Sequence, residues 1–264
     1  MDNPKIIANA LGMARRSGRS LDEFPIALPD GLPDAYQIQE LEIQNLGKLE
    51  GWKIAAIKPE LRERHGAVRL AGPIIRLIDA RLLGNSSAEV PVIVGGLAAV
   101  EAEFAVLIGE DLPIRSSPYS EAELADAVSS LHIAIEIAGS PLANLSDLGP
   151  TAVAADHGNN VAVIVGNEIA DWRQRPLDTL ITRTTINGEV VGEGSAARLD
   201  GGPLGALAYL VSHLSSRGRF LKAGDWVSTG ATTGMHKVMP GSDAIVEFGS
   251  AGRISVRIIP HPGP

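Results

Sequence analysis

A chain of 264 residues, 45% of them hydrophobic, is long enough to bury a substantial core in one large domain or a domain with a smaller appendage. It has no cysteine, which excludes disulfides, thiolate metal sites and cysteine nucleophiles, and its net charge of −8 with 4% aromatic residues argues against nucleic acid, which needs a basic surface or stacking platforms. The first 20 residues lack the uninterrupted apolar stretch of a signal peptide, and no run approaches the roughly 20 apolar residues of a membrane span, so the expectation is a cytoplasmic protein acting on a small molecule, with no membrane partner.

Asp2 or Asn3 before Pro4 predicts a helix start, with Ile6, Ile7, Ala10 and Met13 as the apolar stripe and Ser17-Gly18 as the stop. A second helix is predicted from Pro33 and Asp34 to Gly47, with Tyr36, Ile38, Leu41, Ile43 and Leu46 on its apolar face. From Gly51 the texture changes to short β-branched runs punctuated by glycine and proline, beginning with WKIAAI. A soft boundary at the charged stretch KPELRERHG divides a helical segment, 1–65, from a β-rich portion, 66–264, and the two together also read as one continuous domain.

The run VEAEFAVLIGEDL reads as a strand yet carries Glu101 and Glu103, and the later run LHIAIEIAG carries Glu136. Burying an unpaired carboxylate costs far more than packing returns, and a hard divalent cation removes that conflict. The side-chain period of two puts Glu101 and Glu103 on one face and sets Glu136 on the face of Ala134 and His132. Three oxygen ligands with room for water and substrate describe a Mg²⁺ or Mn²⁺ site. The plain alternative is a solvent-facing strand edge. His132 is a fourth-ligand candidate, although a hydrogen-bonded core histidine is the preferred reading.

Between these runs Ser120 and Glu123 form a capping box ahead of a predicted helix over LADAVSSLH. Asn187-Gly188 signals a hairpin, because a type I′ turn needs positive φ at both central residues. A longer helix is predicted from Pro203 to Gly218, with His213 on it, and the remainder reads as successive antiparallel strands. The pattern implies an α+β fold with a rolled or sandwiched sheet and lacks the βαβ alternation of a doubly wound one. There is no G-x-S-x-G elbow, and the paired glycines fit neither a G-x-G-x-x-G nor a Walker pattern.

The order of motifs resembles the hydratase/decarboxylase branch of the fumarylacetoacetate hydrolase superfamily, the branch of 2-oxopent-4-enoate hydratase and 4-oxalocrotonate decarboxylase. The motifs are AYQIQ, GWKIA around Lys53, EAEFAV, AIEIAGS around Glu136, AADHGNN around Asp156, LDGGPLGALAYL, LKAGDWVSTGATTG and PGSDAIVEFGSAGRISV, and they span most of the chain. The resemblance implies a mixed β-sandwich roll of the superfamily's C-terminal type, with an N-terminal helical segment and a metal held by Glu101, Glu103 and Glu136. Three departures stand out: IKPELRERHGAVRLAGPIIRLID after Lys53, Asn159 where family members commonly carry a small hydroxyl residue, and Pro141 where an arginine is expected.

The resemblance further implies that the metal chelates the carboxylate and the 2-oxo or 2-enol oxygen of a small 2-oxo or 2-hydroxydienoic acid and stabilises an enolate. Hydration of a 2-hydroxy-2,4-dienoate to a 4-hydroxy-2-oxo acid, as in aromatic meta-cleavage catabolism, is the expected reaction. Lys53 is the proton-transfer residue, with a pKa expected to be depressed by desolvation and by the cation; its plain alternative is a snorkelling surface lysine. Thr229, Gly230 and Thr232 look like a cradle for the substrate carboxylate, or else a simple hairpin connection. Asp156 and Asn159 hold the attacking water or the distal substrate group, or else cap a turn; His157 is a pocket candidate and Gln39 a weaker one. Rival readings are a 4-oxalocrotonate-type decarboxylase, a hydrolase cleaving a carbon–carbon bond of an acylpyruvate, and a non-catalytic subunit that partners a related pathway enzyme. The resemblance also suggests a homo-oligomer.

Overall fold

The two acid-bearing apolar runs form the longest strands, and the rest of the molecule is arranged around them. The structure, a computed structural model, describes residues 3–263. Helices α1 (Asn3–Ser17) and α2 (Leu32–Ile43) come first, followed by β1 (Gly51–Ala56), the short α3 (Pro59–His65), β2 (Arg69–Ile74), β3 (Leu77–Asp79), β4 (Ala88–Val92) and the long β5 (Leu97–Ile108). Next are α4 (Glu121–Ala127), β6 (Val128–Ser140), the short α5 (Leu145–Leu148) and α6 (Pro150–Ala155), β7 (Asn160–Glu168), β8 (Ile181–Ile186) and β9 (Glu189–Ser195). Helix α7 (Gly202–Ser216) precedes β10 (Trp226–Ser228), β11 (Met235–Lys237), β12 (Asp243–Glu247) and β13 (Arg253–Pro260). Among the described residues no helix is long and apolar enough to cross a membrane.

The strands make two mixed sheets. One runs β2-β1-β10-β5-β6-β7-β3, with β11 also on β5, and the other runs β4-β13-β12-β8-β9. Parallel pairs β1/β10, β3/β7 and β4/β13 stand beside the antiparallel ones, so the β-rich part is more mixed than its hairpin signals suggest. Neither sheet closes into a barrel, and the α+β sandwich-roll architecture read from the sequence is the one observed.

Strand β5 is buried on both faces, which is why it reads as a nearly continuous apolar run. Val100, Ala102, Phe104 and Val106 on one face join Ile133, Ile135 and Ile137 of β6 and meet Val246, Ile254 and Val256 of the smaller sheet in the main core. The opposite face carries Glu101, Glu103 and Ala105 and, on β6, Ala134 and Glu136. Small residues on this face leave room for the acidic groups.

Local signals were obeyed where the chemistry is local. Ser120 and Glu123 form the reciprocal capping box of α4, and Asn187 and Gly188 take φ of 50° and 86° in the β8–β9 hairpin. Helix α4 nevertheless stops at Ala127, partway through the expected LADAVSSLH, because Val128 is extended and already pairs with Ile108. Helix α2 likewise ends at Ile43 rather than at Gly47. In α1 the buried stripe is Ile7, Ala8, Leu11 and Ala14, and Met13 is exposed, so the helix is rotated from the expected face; the expected cap Asp2 lies outside the described residues. Helices α1, α2 and α6 share an apolar cluster that includes Leu11, Ala35, Ile38 and Ala155.

Candidate metal centre

Glu101 stands directly opposite Glu136 across the β5/β6 pair, and Glu103 lies two residues along the same face. One oxygen from each carboxylate lies within 4.8 Å of the others, and among the described residues this is the one group of three acidic or imidazole side chains so arranged. Glu103 and Glu136 are fully buried, while Glu101 keeps 9% of its surface and so marks the open side. Burial pushes the Glu101 carboxyl up to about 7, against the pull of the Lys53 ammonium and with the repulsion of Glu136 adding to it. Glu103 is raised well above the ordinary carboxylate range, first by burial and then by Glu136 and Glu101.

The residues around the triad hold it in place. Strands β10 and β11 both pair with β5, but the segment between them bulges outward opposite Glu103. The bulge begins where Thr229 N–H donates to Phe104 O and ends where Thr232 N–H donates to Ala102 O. It frees the Gly230 N–H to donate to Glu103 Oε2 at 2.9 Å, beside the Ser228 hydroxyl at 2.5 Å. Gly230 has φ of 113°, a conformation that favours glycine. On the other strand Asn160 Nδ2 donates to Glu136 Oε1 at 2.9 Å.

Lys53 projects from β1 into this cluster, with 1% of its surface exposed. Its Nζ lies 3.2 Å from Glu136 Oε2 and donates to Asn159 Oδ1 at 3.1 Å. Burial pulls the ammonium down, but Glu136, Glu101 and Glu103 outweigh it and hold the pKa above its ordinary value. That is the reverse of the direction expected with a cation present, and the physical reason is the local excess of carboxylates.

The other sequence-predicted residues have different partners. Asp156 gives one carboxylate oxygen to Arg15 Nε at 2.6 Å and the other to the Ser140 hydroxyl at 2.5 Å. The Thr229 hydroxyl donates to Phe104 O, and that of Thr232 to Ala102 O, so both tie the bulge to β5. His157 turns away from the triad toward Glu42 of α2, at 3.3 Å. Gln39 donates to Ala71 O and Ala154 O, joining β2 to α6. His132 is a core histidine, bonded to Ser130 and Gly166 O with its ring edge-on to Trp226. Ser228, Asn160, Arg15, Ser140 and Glu42 were missed by sequence reasoning. Ser228, Asn160 and Ser140 lie inside quoted motifs, and Glu42 sits four residues after Ile38 and seven after Ala35 on the buried face of α2, whereas Arg15 lies off the stripe expected for α1.

A divalent cation fits this donor set. Among the described residues Glu103 Oε1 is buried without a hydrogen-bond partner, and Glu136 Oε2 lies 3.2 Å from the Lys53 ammonium, outside hydrogen-bond geometry. Three hard oxygen donors balanced by one ammonium leave a deficit of positive charge in a dry place, and a hard cation supplies it. A groove of about 530 Å³ between α2 and α7, lined by Tyr36, Glu40, Tyr209, His213 and Arg217, involves none of the triad.

The fumarylacetoacetate (FAA) hydrolase C-terminal family model matches residues 80–260, which include all three carboxylates. The chain belongs to the fumarylacetoacetate hydrolase family. It is 28% identical over 241 residues to a 2-keto-4-pentenoate hydratase of Paraburkholderia xenovorans, covering 89% of this chain and 87% of the relative. A 4-oxalocrotonate decarboxylase of Pseudomonas putida is 33% identical over 108 residues, 41% of either chain. The solved structure of the 4-oxalocrotonate decarboxylase from Pseudomonas putida G7, complexed with magnesium and adipate, superposes with a TM-score of 0.80 over 97% of both chains at 23% identity, which shows the shared fold. Within the family, these relatives fall in the hydratase/decarboxylase branch that the motif order indicated.

Proposed function

We propose that the protein is a metal-dependent hydratase that converts a 2-hydroxy-2,4-dienoate of the 2-oxopent-4-enoate type into a 4-hydroxy-2-oxo acid. The observation that carries this reading is the charge of the buried cluster. The charges acting on Glu101 are Lys53 and Glu136, and those acting on Glu103 are the same two and Glu101, with no arginine or histidine among them. Three carboxylates, one ammonium and one divalent cation sum to zero, so a substrate with a single carboxylate adds one negative charge. A dicarboxylate such as 4-oxalocrotonate adds two, and among the described residues Lys53 is the cation that acts on Glu101 and Glu103. The similarity to the hydratase along most of both chains supports the same choice.

Glu101, Glu103 and Glu136 would hold the cation, Mg²⁺ or Mn²⁺. When bound, it would supply Lewis-acid stabilisation of negative charge developing on the 2-oxo acid. Ser228 and Gly230 fix the Glu103 carboxylate, and Asn160 fixes that of Glu136. Lys53, held by Asn159, carries a proton in the metal-free site; it gives that proton to the far carbon of the dienol and is recharged by the proton that leaves the substrate's 2-hydroxyl. Water then adds at the fourth carbon of the resulting unsaturated ketone, and the third carbon takes up a proton. Asp156, with both oxygens engaged, serves by anchoring the turn that bears Asn159. Thr229 and Thr232 serve by shaping the bulge that presents Gly230.

A decarboxylase is the second reading, favoured by the 33% identity over 108 residues. The two are separated by offering 2-hydroxypenta-2,4-dienoate and 4-oxalocrotonate in parallel with Mg²⁺. Formation of 4-hydroxy-2-oxopentanoate from the first without carbon dioxide from the second is the expected outcome. Carbon dioxide release from the second at the higher kcat/KM overturns it. The soluble small-molecule setting and assembly as a homo-oligomer follow from the same family reading.

A further inference from the structure

The turn that delivers Asn159 to Lys53 is held in an unfavourable conformation by residues far from the chemistry. His157, Gly158 and Asn159 take φ of 56°, 63° and 61°, three successive residues in the left-handed region. Only the middle one is glycine, and non-glycine residues persist there when their surroundings over-determine them. The turn lies backbone-to-backbone on β2, where a Cβ on Gly72 would meet His157 O at 2.1 Å. It also abuts the Lys53 stem, since a Cβ on Gly158 would come within 3.2 Å of Lys53 Cδ.

Two contacts from the N-terminal helices reach this turn, an ion pair on Asp156 and a close approach to the His157 ring. Arg15 of α1 binds the Asp156 side chain and carbonyl and also the carbonyls of Gly139 and Asn160. Glu42 of α2 faces His157 Nε2 at 3.3 Å, with 1% and 2% of the two residues exposed. Glu42 in turn rests on Gly12 of α1, where a Cβ would come within 2.2 Å of its Oε1. The pair has no other use in the mechanism above: Glu42 Oε1 and both ring nitrogens of His157 have no hydrogen-bond partner among the described residues, so the 3.3 Å approach is a close contact outside hydrogen-bond geometry, and neither residue belongs to the triad.

We propose that Glu42 is a positioning residue for the hydratase reaction: through His157 it holds the left-handed turn that presents Asn159 to the Lys53 ammonium. This rests on the reading of Lys53 as the proton-transfer group. Glu42 touches neither substrate nor metal. Its loss is therefore expected to loosen the turn and lower kcat while leaving KM and metal affinity in place.

The test compares wild type, Glu42→Gln, Asn159→Ala and the double variant, with His157→Gln as a second approach to the same contact should Glu42→Gln fail to fold. In metal-free protein, amide hydrogen exchange at residues 158–160 is expected to accelerate about tenfold in Glu42→Gln, while amides of 101–103 and 135–137 keep their protection. With Mn²⁺, kcat on 2-hydroxypenta-2,4-dienoate is expected to fall about tenfold, the scale of a displaced catalytic group, with KM and Mn²⁺ affinity within about twofold. Adding Glu42→Gln to Asn159→Ala is expected to lower kcat no further, because both act through one contact. Unchanged exchange in the turn, a loss confined to metal affinity, or multiplicative effects in the double variant would overturn the proposal. If wild type does not turn over the dienoate, the hydratase reading fails and the exchange measurement alone decides the role of Glu42.

Discussion

Replacing Glu101 with glutamine removes the most exposed of the three clustered carboxylates, and the consequence for stability depends on pH in a defined direction. Glu101 is held near 7 in the folded metal-free protein, against about 4.5 for an unfolded glutamate. The folded state therefore binds the extra proton between those values, and wild-type stability contributed by this group is full below 4.5 and is lost as pH rises toward 7. At 1.36 kcal/mol per pKa unit the loss approaches about 3 kcal/mol, a ceiling because the three carboxylates and Lys53 titrate as a group. Total stability would hide this. His213 is held down at about 4 by burial and by Arg217, so its folded state sheds a proton early and gains stability across much of the same range. The difference between wild type and Glu101→Gln cancels His213. Urea denaturation in excess chelator at pH 5, 6, 7 and 8 is expected to show Glu101→Gln gaining on wild type by up to about 3 kcal/mol between pH 5 and pH 8. Saturating Mn²⁺ should reverse the order at pH 8, since only wild type keeps all three ligands. A difference that stays constant with pH would refute the assignment of a proton-holding buried triad.

Other consequences follow from the same geometry. Mn²⁺ binding must displace protons from Glu101 and Glu103, so its affinity should rise with pH through 7 with proton release, measurable by calorimetry in buffers of different ionisation enthalpy. Ser228→Ala removes the short bond to Glu103 and should weaken Mn²⁺ binding by about tenfold or more with the fold unchanged by circular dichroism. Lys53→Ala should keep metal affinity and lower turnover by about 10²-fold or more; an unchanged rate would remove Lys53 from the reaction. Arg15→Ala leaves the Asp156 carboxylate buried without its ion pair and should cost about 3–5 kcal/mol in urea denaturation.

What could be read from the chain in advance was the part governed by short-range periodicity. The alternation in VEAEFAV and AIEIAG sets Glu101, Glu103 and Glu136 on one face, and their opposition across β5 and β6 then needs only that the two strands pair. The capping box at Ser120 and the turn at Asn187-Gly188 are local chemistry and formed as expected. The boundary at Val128 was not legible, since its extended state is imposed by pairing with Ile108, a partner 20 residues away. Nor were the contacts of Arg15 and Glu42. Their charges face inward because α1 and α2 pack on the turn at 156–159: Glu42 shares the face of Ala35 and Ile38, so α2 alone shows its burial but not its partner, whereas Arg15 lies off the stripe expected for α1. The raised Lys53 pKa belongs to the same class, because its direction depends on three carboxylates brought from two other strands.

The most direct test of the metal-dependent hydratase follows the ultraviolet absorbance of 2-hydroxypenta-2,4-dienoate with chelator-stripped wild type and Glu136→Gln, before and after Mg²⁺ or Mn²⁺. The expected result is no loss without metal, metal-restored loss with 4-hydroxy-2-oxopentanoate as product in wild type, and none in Glu136→Gln. Turnover that survives chelation, or full metal-restored activity in Glu136→Gln, would contradict it.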